Sequence, residues 1–418
     1  MHITGIIAEY NPLHAGHQYH IEQTKALTGA DYMITVLSGD FVQRGLPAVL
    51  DKHTRAHMAL EAGSDLVLEL PVPYALSSGE GFGFGGVSLL HQLGCVDTLS
   101  FGTEAGVLDK LTAIAKVLTA ESPAYRQAYQ KALKQGLTHP AARLQAMQEA
   151  CPELDLTVLE GHSNNMLALE YCKALYRLDS SIQPVTVKRL GQEYLEDAIN
   201  PGEHLDGVPV FGFASATAIR EALNQTCLQI ADLSALVPHA TAAILEKTHT
   251  ENSLLFPDDF SNLLHYKLLC LSGDKLTNYW EVTPDFTNKI SKQLAAFKSF
   301  NQFSNLLWTK EMTYARVCRT LMHILLDIKV DTWDVHRPVP YARVLGFRKD
   351  SAPLLSEIKK NSSIPLITKL ADAEKLLSPE AYQLLCLDMK AAHIYDSVLQ
   401  QKSHTKIMHE MQKQIVII

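Results

Sequence analysis

The sequence predicts an α/β fold, with a doubly wound parallel sheet in the first half of the chain and mainly helices in the second. Short apolar runs typical of buried strands alternate with segments of helical periodicity from the N-terminus onward. This order is typical of parallel sheets, because the crossover between two parallel strands usually contains a helix. Strand signals become rare after about residue 225, where helical patterns dominate.

The individual elements follow from periodicity and from the residues that bound them. The predicted strands are residues 3–8, 32–37, 65–70, 98–101 and 184–188. Helical patterns cover residues 17–28, 52–62, 79–93, 107–150 and 165–177, and a further helix is expected over 217–223. In the second half, helices are predicted at 260–271, 310–326 and 379–399. Gly63 and Pro71 mark two of the ends, since both residue types interrupt regular structure.

Two domains account for the change in character along the chain. Residues 1–225 are expected to form the αβ domain, and residues 226–418 a mainly α-helical domain. Open parallel sheets bind ligands at the carboxyl ends of their strands. The loop after the first strand is therefore the first place to expect a site.

Composition places the chain among ordinary globular proteins. Apolar residues make up 47% and charged residues 20%, and the formal net charge is -8. The 7 cysteines are scattered without a C-x-x-C pair, which favours reduced thiols over a disulfide framework or a zinc knuckle. Neither a signal peptide nor an apolar run of membrane-spanning length is evident, so we expect a cytoplasmic protein without a membrane segment.

One segment departs from the acidic balance of the whole chain. Between Lys289 and Lys360, thirteen basic residues face six acidic ones. A basic segment in an acidic protein indicates a nucleic-acid surface, although a solvated helical face is the alternative. Trp308, Tyr314 and Trp333 flank the segment and are candidates for stacking on unpaired bases, while core packing is the commoner fate of such residues.

The strongest motif is GIIAEYNPLHAGHQYH at residues 5–20. The first strand ends near Ala8 and a helix is expected from about Gly16, so His14 and His17 lie at a helix N-terminus. Such a terminus offers N–H groups and a positive dipole end to phosphate. Imidazole N–H groups add donors for charge that develops on an α-phosphate and a leaving pyrophosphate. The pair could also bind metal, but no third ligand at metal spacing stands out, and no metal site is predicted.

A second phosphate-binding element is expected in FASATAIRE, residues 213–221. Ser215 or Thr217 can cap the helix that follows, and Arg220 lies near the same end. A hydroxyl, backbone N–H groups and a guanidinium together suit phosphate. With His14 and His17, these three residues are the predicted catalytic residues. An early H-x-G-H and a late Ser/Thr-x-x-Arg helix start resemble the two-part signature of the nucleotidylyltransferase superfamily.

A closer resemblance rests on segments that follow one another along most of the chain. They are GIIAEYNPLHAGHQYH, VLSGDFVQRGLPAVLDKHTRAHMAL, SDLVLELPVPYA, FGTE, SNNMLALEY, KRLG, ASATAIRE, TKEMTYARVCRTLMHILL and YARVLGF. In this order they resemble the bacterial tRNA(Met) cytidine acetate ligase family. The resemblance implies a nucleotidyltransferase-type fold in the αβ domain.

The same resemblance implies an enzyme that joins acetate to the wobble cytidine of elongator tRNA(Met), giving N4-acetylcytidine. ATP, with Mg²⁺, and acetate would first give acetyl-adenylate and pyrophosphate, and AMP would leave when cytidine takes the acetyl group. The αβ domain would bind ATP and acetate and the helical domain tRNA, and no protein partner is implied. The resemblance assigns the ATP contacts to Ile7, Ala8, Glu9, Tyr10, Asn11, Pro12, Leu13, His14, Ala15, Gly16, His17, Gln18, Tyr19, His20, Gly102, Asn164 and Arg189.

For some other residues, the sequence gives only weak evidence of a functional role. Gln43, Arg44 and Arg55 are candidates for holding acetate or an RNA phosphate, with surface ion pairs as the equal alternative. Glu104 is a candidate for a metal or ribose contact, or for a helix cap. The glycines between residues 81 and 86 resemble a phosphate loop, but their spacing favours tight helix packing.

Two other functions remain open at the level of sequence. A small-molecule adenylyltransferase that makes a dinucleotide-type product would share the αβ site without needing a basic helical domain. A nucleotide-regulated RNA-binding protein would keep the fold without turnover. Intact His14, His17 and Arg220 argue against the second of these alternatives.

Overall fold

The computed structural model describes residues 1–103, 107–137, 139–159, 163–188, 203–205, 208–210, 215–225, 233–271, 273–406 and 408–418. Its strands are β1 (Ile3–Ala8), β2 (Tyr32–Ser38), β3 (Phe41–Val42), β4 (Leu46–Pro47), β5 (Leu66–Leu70), β6 (Thr98–Thr103), β7 (Gln183–Lys188), β8 (Glu203–Leu205), β9 (Val208–Val210), β10 (Ala342–Phe347), β11 (Leu366–Ile367) and β12 (Val416–Ile417).

Helices connect and flank these strands. Those of the first half are α1 (Ala15–Thr28), α2 (Lys52–Glu61), α3 (Val72–Ala75), α4 (Gly79–Gln92), α5 (Leu108–Ala120), α6 (Pro123–Lys134), α7 (His139–Ala150), α8 (Ser163–Arg177) and α9 (Ala216–Leu223). Those of the second half are α10 (His239–Thr250), α11 (Ser261–Cys270), α12 (Gly273–Leu276), α13 (Pro284–Gln293), α14 (Phe300–Leu307), α15 (Tyr314–Leu326), α16 (Ala352–Asn361), α17 (Ala373–Leu376) and α18 (Pro379–Ser403).

Parallel strands form the centre of the main sheet, in the order β5-β2-β1-β6-β7. Chain order runs outward from β1 through β2 and β5 on one side, and through β6 and β7 on the other. The order therefore reverses between β1 and β6, where doubly wound sheets bind their ligands. The predicted α/β class is confirmed, and the predicted strand ends agree with the observed ones to within about two residues.

Both faces of the sheet are covered, which is why its strands read as apolar runs in the sequence. Buried residues of α4, α5 and α8 form the core on one face. Buried residues of α1 and α2 pack on the other. The glycine-rich helix α4 lies close to its neighbours, because a Cβ at Gly85 would meet the Tyr74 ring at 2.5 Å and one at Gly86 would meet Ile7 at 2.6 Å. The glycines therefore serve helix packing, as expected, and do not form a phosphate loop.

The sheet continues into the half of the chain where few strands were expected. β10 pairs antiparallel with β5, and β11 and β12 pair with β10. These strands are short and depend on partners far away in sequence, which local periodicity cannot reveal. The division into domains at residue 225 stays a prediction, although β10, β11 and β12 belong to the same sheet as β1.

Most helices between residues 255 and 328 pack around α15. Its residues from Val317 to Leu326 are buried, and α11, α13 and α14 contribute to the same core. Phe41 of β3 and Leu76 after α3 join this core. The helical half is therefore packed directly against the strands of the first half.

None of the helices within the described ranges is long and apolar enough to cross a bilayer. The cysteines in those ranges are thiols, and no disulfide joins them. Burial raises the pKa of the Cys172 and Cys318 thiols to about 11, so both stay protonated near neutral pH. Cys227 lies outside the described residues.

Candidate active site

The loop of residues 9–14 follows β1 directly, so it lies at the edge where the strand order reverses. Tyr10 has a positive φ of 45°, and Asn11 is joined to Pro12 by a cis peptide bond. The Asn11 side-chain oxygen accepts the Val49 N–H at 2.8 Å, and the residue is buried. Leu13 is also fully buried. The loop is thus held from below by packing and by a hydrogen bond to a distant segment.

His14 and His17 form a reciprocal cap at the start of α1. The Gly16 N–H donates to His14 Nδ1 at 3.1 Å, and the His14 N–H donates to His17 Nδ1 at 3.3 Å. The two rings stack with centroids 3.7 Å apart, and Tyr10 meets His17 edge-on at 5.0 Å. The predicted pairing of these histidines at a helix N-terminus is therefore what the structure contains.

These hydrogen bonds determine which ring nitrogens carry hydrogen. A neutral imidazole has one acceptor and one donor nitrogen. Because Nδ1 accepts a backbone N–H in both His14 and His17, the hydrogen of each neutral ring is on Nε2. The pair can thus present two N–H donors from half-buried rings at the sheet edge. Donors of this kind stabilise negative charge that develops on phosphate oxygens.

The backbone of α1 contributes less than the sequence suggested. The Ala15 N–H donates to the Leu236 carbonyl at 2.9 Å, and the N–H groups of His17 and Gln18 donate to the His14 carbonyl. The Gly16 N–H is committed to the His14 ring. The expectation of unpaired N–H groups at this helix start is therefore wrong in the described structure. The backbone N–H groups of Ala15, Gly16, His17 and Gln18 all have partners within the protein.

Ser215, Thr217 and Arg220 lie together at the start of α9. The Ser215 hydroxyl accepts the Ala218 N–H at 3.1 Å, as expected of a helix cap. Arg220 donates to the Thr217 hydroxyl at 2.9 Å and to the Asn11 carbonyl at 2.8 Å. This second contact joins α9 to the histidine loop across 209 positions of sequence. The two predicted motifs therefore meet at one place.

Glu9 brings a carboxylate into this positively charged neighbourhood. Its Oε1 accepts the Gln43 N–H at 2.8 Å. Burial raises the pKa of the Glu9 carboxyl, while the Gln43 N–H and the guanidinium groups of Arg220, Arg44 and Arg55 oppose that rise. Carboxylates also act on these cations, because Asp40 and Asp51 lie near Arg55 and Glu221 lies near Arg220.

Arg55 has a structural place that the sequence did not reveal. It is fully buried, and its guanidinium donates to the carbonyls of Leu50, Glu9, Ser38 and Gly39. These carbonyls include those that follow β1 and β2. Arg55 therefore binds the ends of the strands together and does not hold acetate or RNA.

The other residues of the expected ATP segment divide into framework and surface. His20 Nε2 lies 3.1 Å from the Ser100 hydroxyl, which ties α1 to β6. Ile7 packs against α4, and Gln18 donates to Glu22 along the outside of α1. The remaining members line the strand end, the loop and the first turns of the helix, namely Ala8, Pro12, Ala15, Gly16 and Tyr19.

Two of the expected contacts outside this segment lie among the described residues. Gly102 is near the carboxyl end of β6, beside β1, and Asn164 is in the first turn of α8. The next residue, Asn165, is fully buried and donates to the Val158 carbonyl at 2.8 Å, so Asn164 is the more accessible of the two. Arg189 and Glu104 lie outside the described residues.

Known proteins are similar to this chain over almost its whole length. The family model for HIGH Nucleotidyl Transferase matches residues 1–410. A tRNA(Met) cytidine acetate ligase of Clostridium perfringens is 38% identical over 94% of this chain and 95% of its own. One of Clostridium novyi is 37% identical over 97% of both chains. The chain belongs to the tRNA(Met) cytidine acetate ligase family.

Solved structures extend the family relationship to three dimensions. The crystal structure of Thermotoga maritima TmcAL bound with alpha-thio ATP has a TM-score of 0.90 at 25% identity and covers 100% of both chains. An apo form of the same protein gives a TM-score of 0.90 at 26% identity. The nucleotidyltransferase-type fold inferred from the motifs is therefore confirmed for this member of the family.

The basic segment of this family member is only partly available to a ligand. Arg343 is buried between Glu69 and Glu410, at 2.6 Å from each carboxylate. Arg319 is buried and forms an ion pair with Glu281. Counting charges in the sequence therefore overestimates the exposed positive charge of this segment, because the count cannot reveal which cations are buried in ion pairs.

The three aromatic candidates also differ in environment. The Trp333 indole donates to the Tyr74 hydroxyl at 2.7 Å, and the Arg337 guanidinium lies over its ring. Tyr314 is half-buried in the helical core. Trp308 is 54% exposed. Trp308 is therefore the best placed of the three to meet a partner.

Three hydrogen-bonded contacts near the candidate site were not predicted from the sequence. In the first, the Leu236 carbonyl accepts the Ala15 N–H of α1, and in the second the Ser100 hydroxyl contacts the His20 ring. In the third, the Arg55 guanidinium donates to carbonyls at the strand ends. A main-chain carbonyl leaves no trace in a sequence. Arg55 does leave one, since an arginine on the apolar face of a helix implies buried acceptors.

Proposed function

We propose that this protein uses ATP to join acetate to the wobble cytidine of elongator tRNA(Met), giving N4-acetylcytidine with release of pyrophosphate and AMP. The relatives named tRNA(Met) cytidine acetate ligase, similar over almost the whole chain, support the overall reaction. The acetyl-adenylate intermediate is what the resemblance to this family implies, and we propose it for this protein.

The observation that carries the proposal is the reciprocal cap of His14 and His17. It places two Nε2–H donors at the sheet edge where ligands of such folds bind. Arg220, held by Asn11 and Thr217, adds a guanidinium on the side of α9. This set of donors suits the α-phosphate of ATP and the pyrophosphate that leaves it.

In the first step, a carboxylate oxygen of acetate attacks the α-phosphorus of ATP. The bond from that phosphorus to the bridging oxygen of the β-phosphate breaks, and pyrophosphate leaves with the electron pair. His14, His17 and Arg220 stabilise the charge that grows on the phosphoryl oxygens. Activation is needed because a free carboxylate is a poor acyl donor, whereas a mixed anhydride with AMP is reactive.

In the second step, the exocyclic amine of cytidine attacks the acetyl carbonyl carbon. The bond between that carbon and the oxygen bound to AMP breaks, AMP leaves, and the amine loses one proton. Positioning supplies much of the catalysis here, since both reactants are held in one site.

We infer that magnesium enters with ATP. Within the described ranges, no group of three or more histidine, cysteine, aspartate or glutamate residues could hold a metal ion. Mg²⁺ commonly binds substrate phosphates and waters with few protein ligands, which suits this site. We also propose that residues 1–225 bind ATP and acetate, that residues 226–418 contribute tRNA binding, and that the enzyme acts in the cytoplasm.

The experiment is pyrophosphate release from ATP and acetate, with and without elongator tRNA(Met), followed by nucleoside mass analysis of the tRNA. Acetylated wobble cytidine that disappears in His17→Ala supports the proposal. Pyrophosphate release with unmodified tRNA would instead indicate a small-molecule adenylyltransferase. ATP and tRNA binding without turnover would indicate a nucleotide-regulated RNA-binding protein.

A further inference from the structure

A line of contacts connects the candidate site with an exposed surface of the helical half. It begins at the β3–β4 hairpin, whose Gln43 N–H donates to Glu9. At the hairpin tip, Arg44 is exposed and Gly45 has a φ of +77°. A Cβ on Gly45 would lie 2.1 Å from the backbone nitrogen of Arg319, so the tip rests directly on α15. The hairpin is thus the bridge between the ATP site and the helical half.

The N-terminal turn of α15 continues this line. Thr313 caps the helix by accepting the Arg316 N–H. Thr313 and Arg319 are about 9 Å apart along the helix axis, at 1.5 Å per residue. Arg316 lies between them and is half-buried, and its Nε is buried without a hydrogen-bond partner among the described residues. The remainder of the side chain is partly accessible, and a guanidinium group is a good donor to phosphate oxygens.

Trp308 stands at the outer end of the same segment. It is the C-cap residue of α14, and it is 54% exposed. Lys289 donates to the Leu307 carbonyl at 2.7 Å and to the Trp308 carbonyl at 3.3 Å, which fixes the backbone below the indole. Met312 pairs with Thr309 across a tight turn, so Lys310 at the tip of this turn is exposed. The indole is therefore held on a fixed backbone beside a cation.

The chain segment that contains Trp308 is mostly basic, although the exposed Glu311 lies next to Lys310. Residues 284–316 contain five basic side chains and two acidic ones, whereas the whole chain has a net charge of -8. Lys292, Lys298 and Lys310 are exposed and make no ion pair with any described residue. An exposed aromatic ring and unpaired cations on one chain segment are features of surfaces that bind single-stranded nucleic acid, through stacking and phosphate contacts.

We propose that Arg44, Trp308, Lys310 and Arg316 form a stacking patch that binds an unpaired loop of the RNA substrate. Trp308 stacks on a base of that loop, and the three cations contact its phosphates. The hairpin links the patch to Glu9, so a base close to the stacked one can reach the ATP site. This inference rests on the proposed function and adds the surface that recognises the anticodon loop.

The test measures the Kd of the full-length protein for elongator tRNA(Met) at fixed salt. Trp308→Ala should weaken binding about 5- to 150-fold, the usual range for losing one stacked base, while Trp308→Phe should keep most of the affinity. Lys310→Gln should weaken binding and should lower the slope of log Kd against log salt by about one. Thermal unfolding of each variant shows that it is folded.

Two matched controls locate the effect. Tyr266→Ala removes an aromatic ring that is 70% exposed on α11, and Lys359→Gln removes an exposed cation on α16. Both should leave the Kd unchanged. Equal losses in Tyr266→Ala and Trp308→Ala would overturn the inference, as would a Kd in Trp308→Ala within about twofold of wild type.

The wild-type protein distinguishes this inference from the function on which it rests. If wild type acetylates the tRNA while Trp308→Ala binds and acetylates it equally well, the stacking patch is wrong and the proposed function stands. If wild type neither binds nor modifies the tRNA, both fail together. Weak binding in both Trp308→Ala and Trp308→Phe would show that ring stacking is not the source of affinity.

Discussion

Replacing His14 by asparagine separates the two roles of this residue. The His14 ring caps α1 through Nδ1, and its Nε2–H is a proposed donor to the reacting phosphate. Asparagine is among the best N-cap residues, because its side-chain oxygen accepts the same backbone N–H. The shorter amide does not reach the position of Nε2, however. His14→Asn therefore keeps the cap and removes the distal donor.

The expected sizes of the two effects differ sharply. The free energy of unfolding of His14→Asn should stay within about 0.5 kcal/mol of wild type, since the cap is kept. Its kcat should fall about 100- to 1,000-fold, the usual cost of one donor to transition-state charge, or roughly 2.7–4 kcal/mol. The assays are urea unfolding and pyrophosphate release at saturating ATP and acetate.

His14→Ala is the matched control. It loses both the cap and the donor. Its free energy of unfolding should therefore be about 0.5–2 kcal/mol lower than that of wild type, and its kcat should be as low as that of His14→Asn. If His14→Asn retained a kcat within about threefold of wild type, the assignment of Nε2 as a phosphate donor would be refuted.

Three further predictions concern the surroundings of the site. Arg220→Lys should lower kcat/KM for ATP about tenfold or more, because one lysine cannot replace two guanidinium contacts; an unchanged kcat/KM would contradict the proposed role of Arg220 in binding the phosphates of ATP. Gly45→Ala should cost about 2 kcal/mol or more in urea unfolding, since its φ is positive and its Cβ would collide with the Arg319 backbone; equal stability would refute this packing. Burial, followed by repulsion from the Glu69 carboxylate, raises the pKa of Asp388 to about 7. Because this carboxyl ionises more easily in the unfolded chain, its contribution makes the fold less stable as pH rises from about 4 to 7. The stability of Asp388→Asn relative to wild type should therefore increase across that window, and a constant difference would contradict the shift.

The parallel core of the sheet could be predicted because each of its strands carries a local signal. Residues 3–8 and 32–37 are apolar runs separated by one amphipathic helix, and the same pattern repeats to residue 101. The rule that doubly wound sheets bind ligands after the first strand points to the sheet edge where His14 and His17 lie in the structure. Local pattern and general topology were sufficient for this part of the fold.

β10 could not be predicted in the same way. Its residues from Ala342 to Phe347 are apolar apart from Arg343, but they form a strand only because β5 offers an antiparallel edge about 275 residues earlier in the chain. Arg343 was misread for a related reason. Its charge was counted as part of a basic surface. In the structure, however, Arg343 is buried and forms ion pairs with Glu69 and with Glu410, which lies 67 residues later in the chain. Partners so distant in sequence leave no periodic signal.

The candidate site shows the same division. The cap at Ser215 follows from residue type and position, so it could be anticipated. The cap at His14 could not, because histidine is not among the preferred N-cap residues. The contact from Arg220 to the Asn11 carbonyl could not, because a backbone acceptor has no identity in the sequence. The same holds for the Leu236 carbonyl, which accepts the Ala15 N–H at the start of α1.

The most direct test of the central claim follows an oxygen atom of acetate. The protein is incubated with ATP, elongator tRNA(Met) and acetate labelled with heavy oxygen, and the AMP and the tRNA nucleosides are analysed by mass spectrometry. If acetate attacks the α-phosphorus, AMP carries one heavy oxygen atom and the wobble cytidine carries an acetyl group. Acetylated cytidine together with unlabelled AMP would contradict the acetyl-adenylate, and unmodified cytidine would contradict the function itself.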